Sequence, residues 1–327
     1  MEAIAKRTLG SMSLLAVSAM AALLVASDVR AETLRVGKSS DIAFTFVPLD
    51  VGFQKGIFQR NGVDVEIINL AGSAKLHQAM VAGAVDIGLG AGTDVPFIIK
   101  GAPEIGVGAI ALTPALFGIT VAYNSPIRTV ADLKGKNIGV STVGSLTEWI
   151  ARQLAKTQGW KSTDITIIAN GGSGAANIAG LRSGVLDASV GAAAQGWDME
   201  TRKEGRLLVA ASDFISSFLE NVHFATTDTA EHHQDALRRY LKGWYEAVDY
   251  MVQNKAETNK IAMTVTHFTP EVQDKQYDVV MPSMSRDGTF PKEATDPVAQ
   301  SFVDLQLMDK APDMSLYLTT KFLPQRK

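Results

Sequence analysis

Two acidic residues stand in matching surroundings, Asp86 in VAGAVDIGLGAG (81–92) and Asp187 in RSGVLDASVGAA (182–193). Each follows a glycine, Gly83 or Gly184, and two apolar spacers, and each begins an apolar run. A pair of carboxylates in equivalent places is what general acid–base chemistry uses. The placement points elsewhere. A glycine closing a helix and an aspartate opening the next strand lie at the end of the strand opposite to the one where open α/β sheets hold ligands. Both aspartates are therefore expected to tie a helix-to-strand turn.

A second set of candidates lies at the other ends of the expected strands. Five small, polar loops each lead into a helix: Ser39-Ser40-Asp41, Gly72-Ser73, Gly92-Thr93, Ser141-Thr142-Val143-Gly144-Ser145 and Gly171-Gly172-Ser173-Gly174. Free N–H groups and the positive end of a helix dipole favour an anion there, and hydroxyls add donors. The same residue types are what helix caps need. A single loop of this kind is read as a cap; five spread over two similar halves are read as the walls of a shared ligand cleft. Other chemistries find little support. GLGAGT from Gly88 has Thr93 where a dinucleotide fingerprint needs its third small residue, and there is no GxxxxGK[ST], HExxH or GxSxG. The five histidines do not cluster in sequence as metal ligands, and His232 and His233 project about 100° apart on a helix. No cofactor, metal or catalytic residue is expected.

The elements that must position these loops follow from periodicity. From Thr33 short apolar strands alternate with helices, which implies a mostly parallel sheet covered on both faces. The uncharged stretch Ile105 to Tyr123 contains glycines, Pro114 and β-branched residues, and reads as two buried strands joined near Thr113 and Pro114 rather than as a membrane helix. Ser145 and Glu148 form a capping-box pattern. The two aspartate segments are copies of one βαβ unit, so two similar α/β lobes are expected. After about Ala225 only helices follow. Leu237, Leu241, Trp244, Val248 and Met251 share one helical face, which suits a tail packed on an existing lobe.

The 327 residues are 46% hydrophobic and 20% charged, and the net charge of -3 supplies no basic field for nucleic acid. Lys6 and Arg7, an uncharged apolar stretch from Ser11 to Ala26, and Val29-Arg30-Ala31 read as a secretory signal over residues 1–31. A membrane anchor is the alternative, but the stretch is shorter than the ~20 residues that span a bilayer. The chain has no cysteine, hence no disulfide and no lipid-anchoring thiol. The expectation is a periplasmic protein that is not a lipoprotein.

VGFQKGIFQRNGVDVEIINLAGSAKLHQAMVAGAVDIGLGAG (51–92), TVADLKGKNIGVSTVGSLTEWIARQLAKTQG (129–159) and GLRSGVLDASVG (180–191) resemble the substrate-binding proteins of ABC importers for nitrate, sulfonate, taurine and thiamine-pyrimidine precursors. The resemblance runs from Leu34 to Val209. It implies the type II periplasmic binding protein fold, α/β, with two similar lobes, central mostly parallel sheets and two hinge strands, near 117–119 and 222–226. Lobe I would be 32–117 plus 225–327, and lobe II 118–224. It also implies a small-molecule ligand between the lobes, an inner-membrane permease and ATPase as partners, and a monomer. Ligand contacts would come from Ser40, Asp41, Phe44, Gly72, Ser73, Gly92, Thr93, Ser141, Thr142, Gly144, Ser145, Ser173 and Gly174, and from Ala193 and Gln195 in the segment 192–197. Sulfonate and taurine binders tend to carry an aromatic, an acid and a proline after the strand that Asp187 opens, where this chain has Gly191-Ala192-Ala193-Ala194-Gln195. That departure puts a sulfonate in doubt; the loops still favour a small organic anion, with Lys38 and Lys75 as the nearest cations. An enzyme on the same lobes is the alternative. The pyrimidine synthase and chorismate dehydratase types come into question, and the lack of cysteine and the export signal weigh against them.

Overall fold

The expected alternation of strand and helix is the observed order in the computed structural model, which describes residues 31–70, 72–171 and 174–325. β1 (Glu32–Lys38), α1 (Val47–Gln54), α2 (Ile57–Arg60), β2 (Val63–Asn69), α3 (Ser73–Val81), β3 (Ile87–Ala91), α4 (Val95–Ile99) and β4 (Glu104–Ala111) come first. β5 (Phe117–Ala122), β6 (Asn137–Val140), α5 (Leu146–Thr157), β7 (Thr166–Ala169), α6 (Gly174–Ser183), β8 (Ala188–Ala192), α7 (Ala193–Thr201) and β9 (Gly205–Ala210) follow. β10 (Asn221–Thr226) then leads into α8 (Thr227–His232), α9 (Gln234–Gln253), α10 (Lys255–Thr266), α11 (Pro270–Val280) and α12 (Lys292–Asp304). Apart from Ala31, the expected signal segment lies outside the described residues, and so does Ser173.

The strands form two five-stranded sheets in the orders β2-β1-β3-β10-β4 and β7-β6-β8-β5-β9. β1 runs parallel to β3, and β6 parallel to β7 and β8. The fourth strand is reversed in each: β10 is antiparallel to β3 and β4, and β5 to β8 and β9. In both sheets the reversed strand is the one that arrives from the other sheet. The chain thus crosses between sheets twice, through 112–116 and through 211–220. This corrects both boundaries: Phe117, expected in the first lobe, is the first residue of β5 in the second sheet. Residues 221–224, expected in the second lobe, belong to β10, whose backbone groups are satisfied on both sides by β3 and β4 of the first sheet. Likewise 117–119 lies wholly in the second sheet and 222–226 wholly in the first, so the connecting segments are the ones before these strands. The described residues from Thr33 onward form one compact unit.

The repeated aspartates do what their placement predicts. Gly83 and Gly184 adopt left-handed conformations, φ 69° and 75°, that end their helices. Asp86 Oδ2 accepts the Arg35 N–H at 2.7 Å, and Asp187 Oδ2 accepts the Asn137 N–H at 2.9 Å. Each carboxylate therefore fastens the first residues of the adjacent parallel strand, β1 or β6. Asp86 also pairs with the Arg35 guanidinium at 2.5 and 3.0 Å, whereas the second copy has Asn137 in the corresponding place.

Helices after β10 cover one face of the first sheet. Leu237, Leu241, Trp244, Val248 and Met251 of α9 are all buried against Leu34, Val36, Ile87 and Leu89 of β1 and β3 in one apolar cluster. The tail also reaches the second sheet. Val272 of α11, with Phe268 just before it, packs on Ala193, Ala194 and Trp197 of α7, and the Trp149 Nε1–H of α5 donates to Asp304 of α12 at 3.1 Å. Among the described residues no helix is long and apolar enough to cross a membrane, and 105–123 is β4, a short connection and β5, as its glycines and proline predicted.

Candidate functional site

A cavity of about 340 Å³ lies at the carboxyl ends of β1, β2, β3, β6 and β8. Ser39, Ser40, Ile42, Ala43 and Phe46 after β1, Ser73 at the start of α3 and Ala91 at the end of β3 form the wall on the first-sheet side. Ser141, Leu146 and Thr147 after β6, with Val190, Gly191, Ala192, Ala194 and Gln195 around the end of β8, form the opposite side. The two crossings contribute Leu116 and Glu220, the first residues of the strands they enter are Phe117 and Asn221, and the tail adds Phe268 and Gln276. Both sheets, both crossings and the C-terminal helices thus meet at one space of the size that small organic ligands occupy.

Of the residues expected to contact ligand, Ser40, Ser73, Ser141 and Gln195 come together in this wall. The others have local engagements. Phe44 is fully buried in the first lobe's core, its ring edge-on to Tyr277. Asp41 is exposed and Thr93 half-buried outside the wall. Gly72 is the N-cap of α3, and its N–H donates to the Ser39 carbonyl at 2.9 Å. Gly92 lies against the backbone of Leu219: its N–H donates to the Glu220 carbonyl at 3.0 Å, and a Cβ there would overlap the Leu219 oxygen. Ala193 donates its N–H to the Leu116 carbonyl and packs against Val272. Gly174 is the first residue of α6.

The loop 141–147 is knitted to itself. Thr147 Oγ1 accepts the Ser141 N–H at 2.9 Å and lies 2.8 Å from Ser145 Oγ, while Ser145 Oγ donates to the Thr142 carbonyl at 2.7 Å. Glu148 completes the capping arrangement in a modified form, accepting the Gly144 N–H at 2.7 Å. It also holds Arg152 at 2.5 Å. At the end of β3, Asp94 accepts the Ala91 N–H at 2.8 Å. In two of the five loops, therefore, amides that would have met an anion already face a carboxylate of this chain.

Charged groups near the wall are paired in the same way. Lys38 and Asp50 are both buried and meet at 3.2 Å. Burial raises the Asp50 pKa, against the pull of the Lys38 charge. His77 lies between Glu104, 2.6 Å from Nδ1, and Asp94, 3.4 Å from Nε2, the latter an ion-pair distance without hydrogen-bond alignment. Burial disfavours its proton, but the two carboxylates outweigh this and raise its pKa to about 9. Lys75 is exposed on α3 and stands outside the wall.

Glu220 is different. It is 1% exposed; its Oε1 accepts the Leu116 N–H at 3.3 Å, and its Oε2 has no partner. Burial raises its pKa well above the ordinary carboxylate range, with the Leu116 amide opposing weakly. Sequence reasoning missed Glu220, Asn221, Phe268 and Gln276 because none lies in a strand-to-helix loop. Only the crossings and the return of the tail bring them to the cavity. A clue was available for Glu220, an acid at the end of an otherwise uncharged stretch, Phe214 to Leu219, just before an apolar strand.

With this geometry established, comparison with known proteins gives consistent results. The sequence profile described as "NMT1/THI5 like" matches residues 43–258. A "Putative thiamine biosynthesis protein" of Haemophilus influenzae is 34% identical over 95 residues, a match covering 29% of this chain and 30% of that protein. The periplasmic aliphatic sulphonate binding protein SsuA of Escherichia coli superposes with a TM-score of 0.73 at 19% identity, over 88% of this chain and 92% of that one. The periplasmic nitrate-binding protein NrtA of Synechocystis PCC 6803 does so at 0.59 and 16% identity, over 75% and 69%. These structures share the two-sheet α/β architecture of periplasmic binding proteins.

Proposed function

Because the chain belongs to the NMT1/THI5-like family, we propose that it is a periplasmic solute-binding protein that delivers a small organic ligand to an ABC importer. The observation that carries this reading is the cavity itself, walled by the carboxyl-end loops of both sheets and by both crossings. A ligand touching both sides binds the closed arrangement better than the open one, and this differential affinity shifts the population toward closure. The permease and its ATPase then recognise the closed form. No bond in the ligand is made or broken. Residues 1–31 would serve as the export signal, leaving a soluble monomer without a lipid anchor.

A thermal-shift screen over sulfonates, carboxylates, nitrate and nitrogen heterocycles tests the reading, since a ligand at a hundred times its Kd stabilises by about 2.7 kcal/mol. The expected outcome is a raised Tm together with a smaller radius of gyration in solution scattering. An unchanged radius with a saturating ligand would count against closure. The name of the Haemophilus influenzae relative supports an enzymatic second reading; chemical conversion of the stabilising compound by the purified protein would decide for it.

A further inference from the structure

Helix α11 has two faces that serve different lobes. One face is fixed to the first lobe: Tyr277 and Val280 are buried in its apolar cluster, and the Tyr277 hydroxyl donates to the Met251 carbonyl at 2.8 Å. Lys255 of α10 adds ion pairs to Asp274 at 2.9 Å and to Asp278 at 2.7 Å. The adjoining face, with Val272 and Gln276 four residues apart, meets the second lobe. Val272 is 1% exposed and forms a small apolar cluster with Ala193, Ala194 and Trp197 of α7, bordered by Phe268. Among the described residues no hydrogen bond or ion pair joins α11 to α7. Parting the two helices therefore strands no buried polar group and costs only the re-exposure of apolar surface.

The same contact borders the cavity. Phe268 and Gln276 line it from the tail, and Ala194 and Gln195 line it from α7. These two sides move apart only if Val272 leaves Ala193, Ala194 and Trp197. We infer that the segment 268–276 is an apolar latch that biases the two lobes toward the closed arrangement before a ligand arrives. Ligand then acts on a population already shifted, and completes the closure that the latch begins. By enlarging the closed fraction, the latch raises the apparent affinity for whatever compound the cavity takes, in proportion to the fraction gained. The inference concerns the movement of the lobes, so it holds for a transported solute and for an enzyme substrate alike.

The chain has no cysteine, so Lys75→Cys and Val143→Cys together accept nitroxide labels at those two places alone. Lys75 is exposed near the start of α3, and Val143 is exposed in the loop after β6, so the pair reports the separation of the two sides. Pulsed electron–electron double resonance measures the distance in protein freed of any carried ligand by unfolding and refolding. The expected result is a shorter and a longer distance. The ratio of shorter to longer should fall about tenfold in Val272→Ala, because two methylene-sized groups no longer gain burial on closing. Val272→Thr, which keeps the shape of the side chain and adds a hydroxyl, should lower the ratio as well. Melting curves of both variants check that they fold. A ratio unaltered in both variants overturns the inference, as does the longer distance alone in the protein with Val272 intact. Neither outcome bears on the solute-binding reading, which fails instead if no small molecule stabilises the protein.

Discussion

His77 should make the stability of this protein depend on pH in a range where few other groups titrate. The imidazole is 2% exposed, lies between Glu104 and Asp94, and stacks on Phe97 with ring centroids 4.4 Å apart. Its pKa of about 9, against an ordinary 6.5, corresponds to roughly 3 kcal/mol at 1.36 kcal/mol per pKa unit. A pKa raised by folding stabilises the protein fully below the unfolded value and loses that contribution as pH rises through the folded value. The loss therefore falls between pH 6.5 and about 9. The perturbation is His77→Gln, which keeps a polar group between the carboxylates and removes the titration. Urea unfolding followed by tryptophan fluorescence at neutral pH and again above the folded pKa gives the stability difference between the two proteins, in which other titrations largely cancel. That difference should shrink by roughly 2–3 kcal/mol over the interval. A difference that stays constant with pH would refute the claim that His77 is held as a cation by its two neighbours. Since Asp94 also fixes the Ala91 amide in the cavity wall, the same titration loosens one wall of the site.

Asp86→Asn should destabilise by about 1–2 kcal/mol and Asp187→Asn by about half as much, because Asp86 carries the Arg35 ion pair besides its backbone bond, and that pair is partly exposed and discounted for screening. Denaturant midpoints measure both; equal losses, or an altered ligand profile at unchanged stability, would contradict the structural role. Gly92→Ala should cost about 2 kcal/mol or more, since its methyl meets the Leu219 carbonyl oxygen at the second crossing, and an unaltered Tm would show that the crossing yields. Trp197→Ala removes a side chain of α7 packed with Val272 of α11. It should enlarge the radius of gyration of the unliganded protein in scattering, whereas an unchanged radius would assign that contact no part in holding the lobes together.

Much of this molecule is local, and the local part was legible. Helix-ending glycines, strand-opening aspartates, the Ser145 cap and the apolar stripe of α9 each depend on residues within a turn or two, so composition and period were enough to place them. The repeat of Asp86 and Asp187 even announced two sheets of the same plan. Sequence alone also pointed to loops at the carboxyl ends of strands, and Ser40, Ser73, Ser141 and Gln195 of those loops line the cavity. What it did not decide was which polar groups remain available once the chain has satisfied itself. Glu148 and Asp94 occupy amides that looked open, and Asp50 neutralises Lys38. β10 joins the first sheet because a reversed strand completes hydrogen bonding between β3 and β4. That pairing carries Glu220 and Asn221 to the cavity, and the folding back of the tail carries Phe268 and Gln276 there. Residues far apart in the chain meet only after both sheets have formed, so the charge and donor character of the cavity is a property of the tertiary structure.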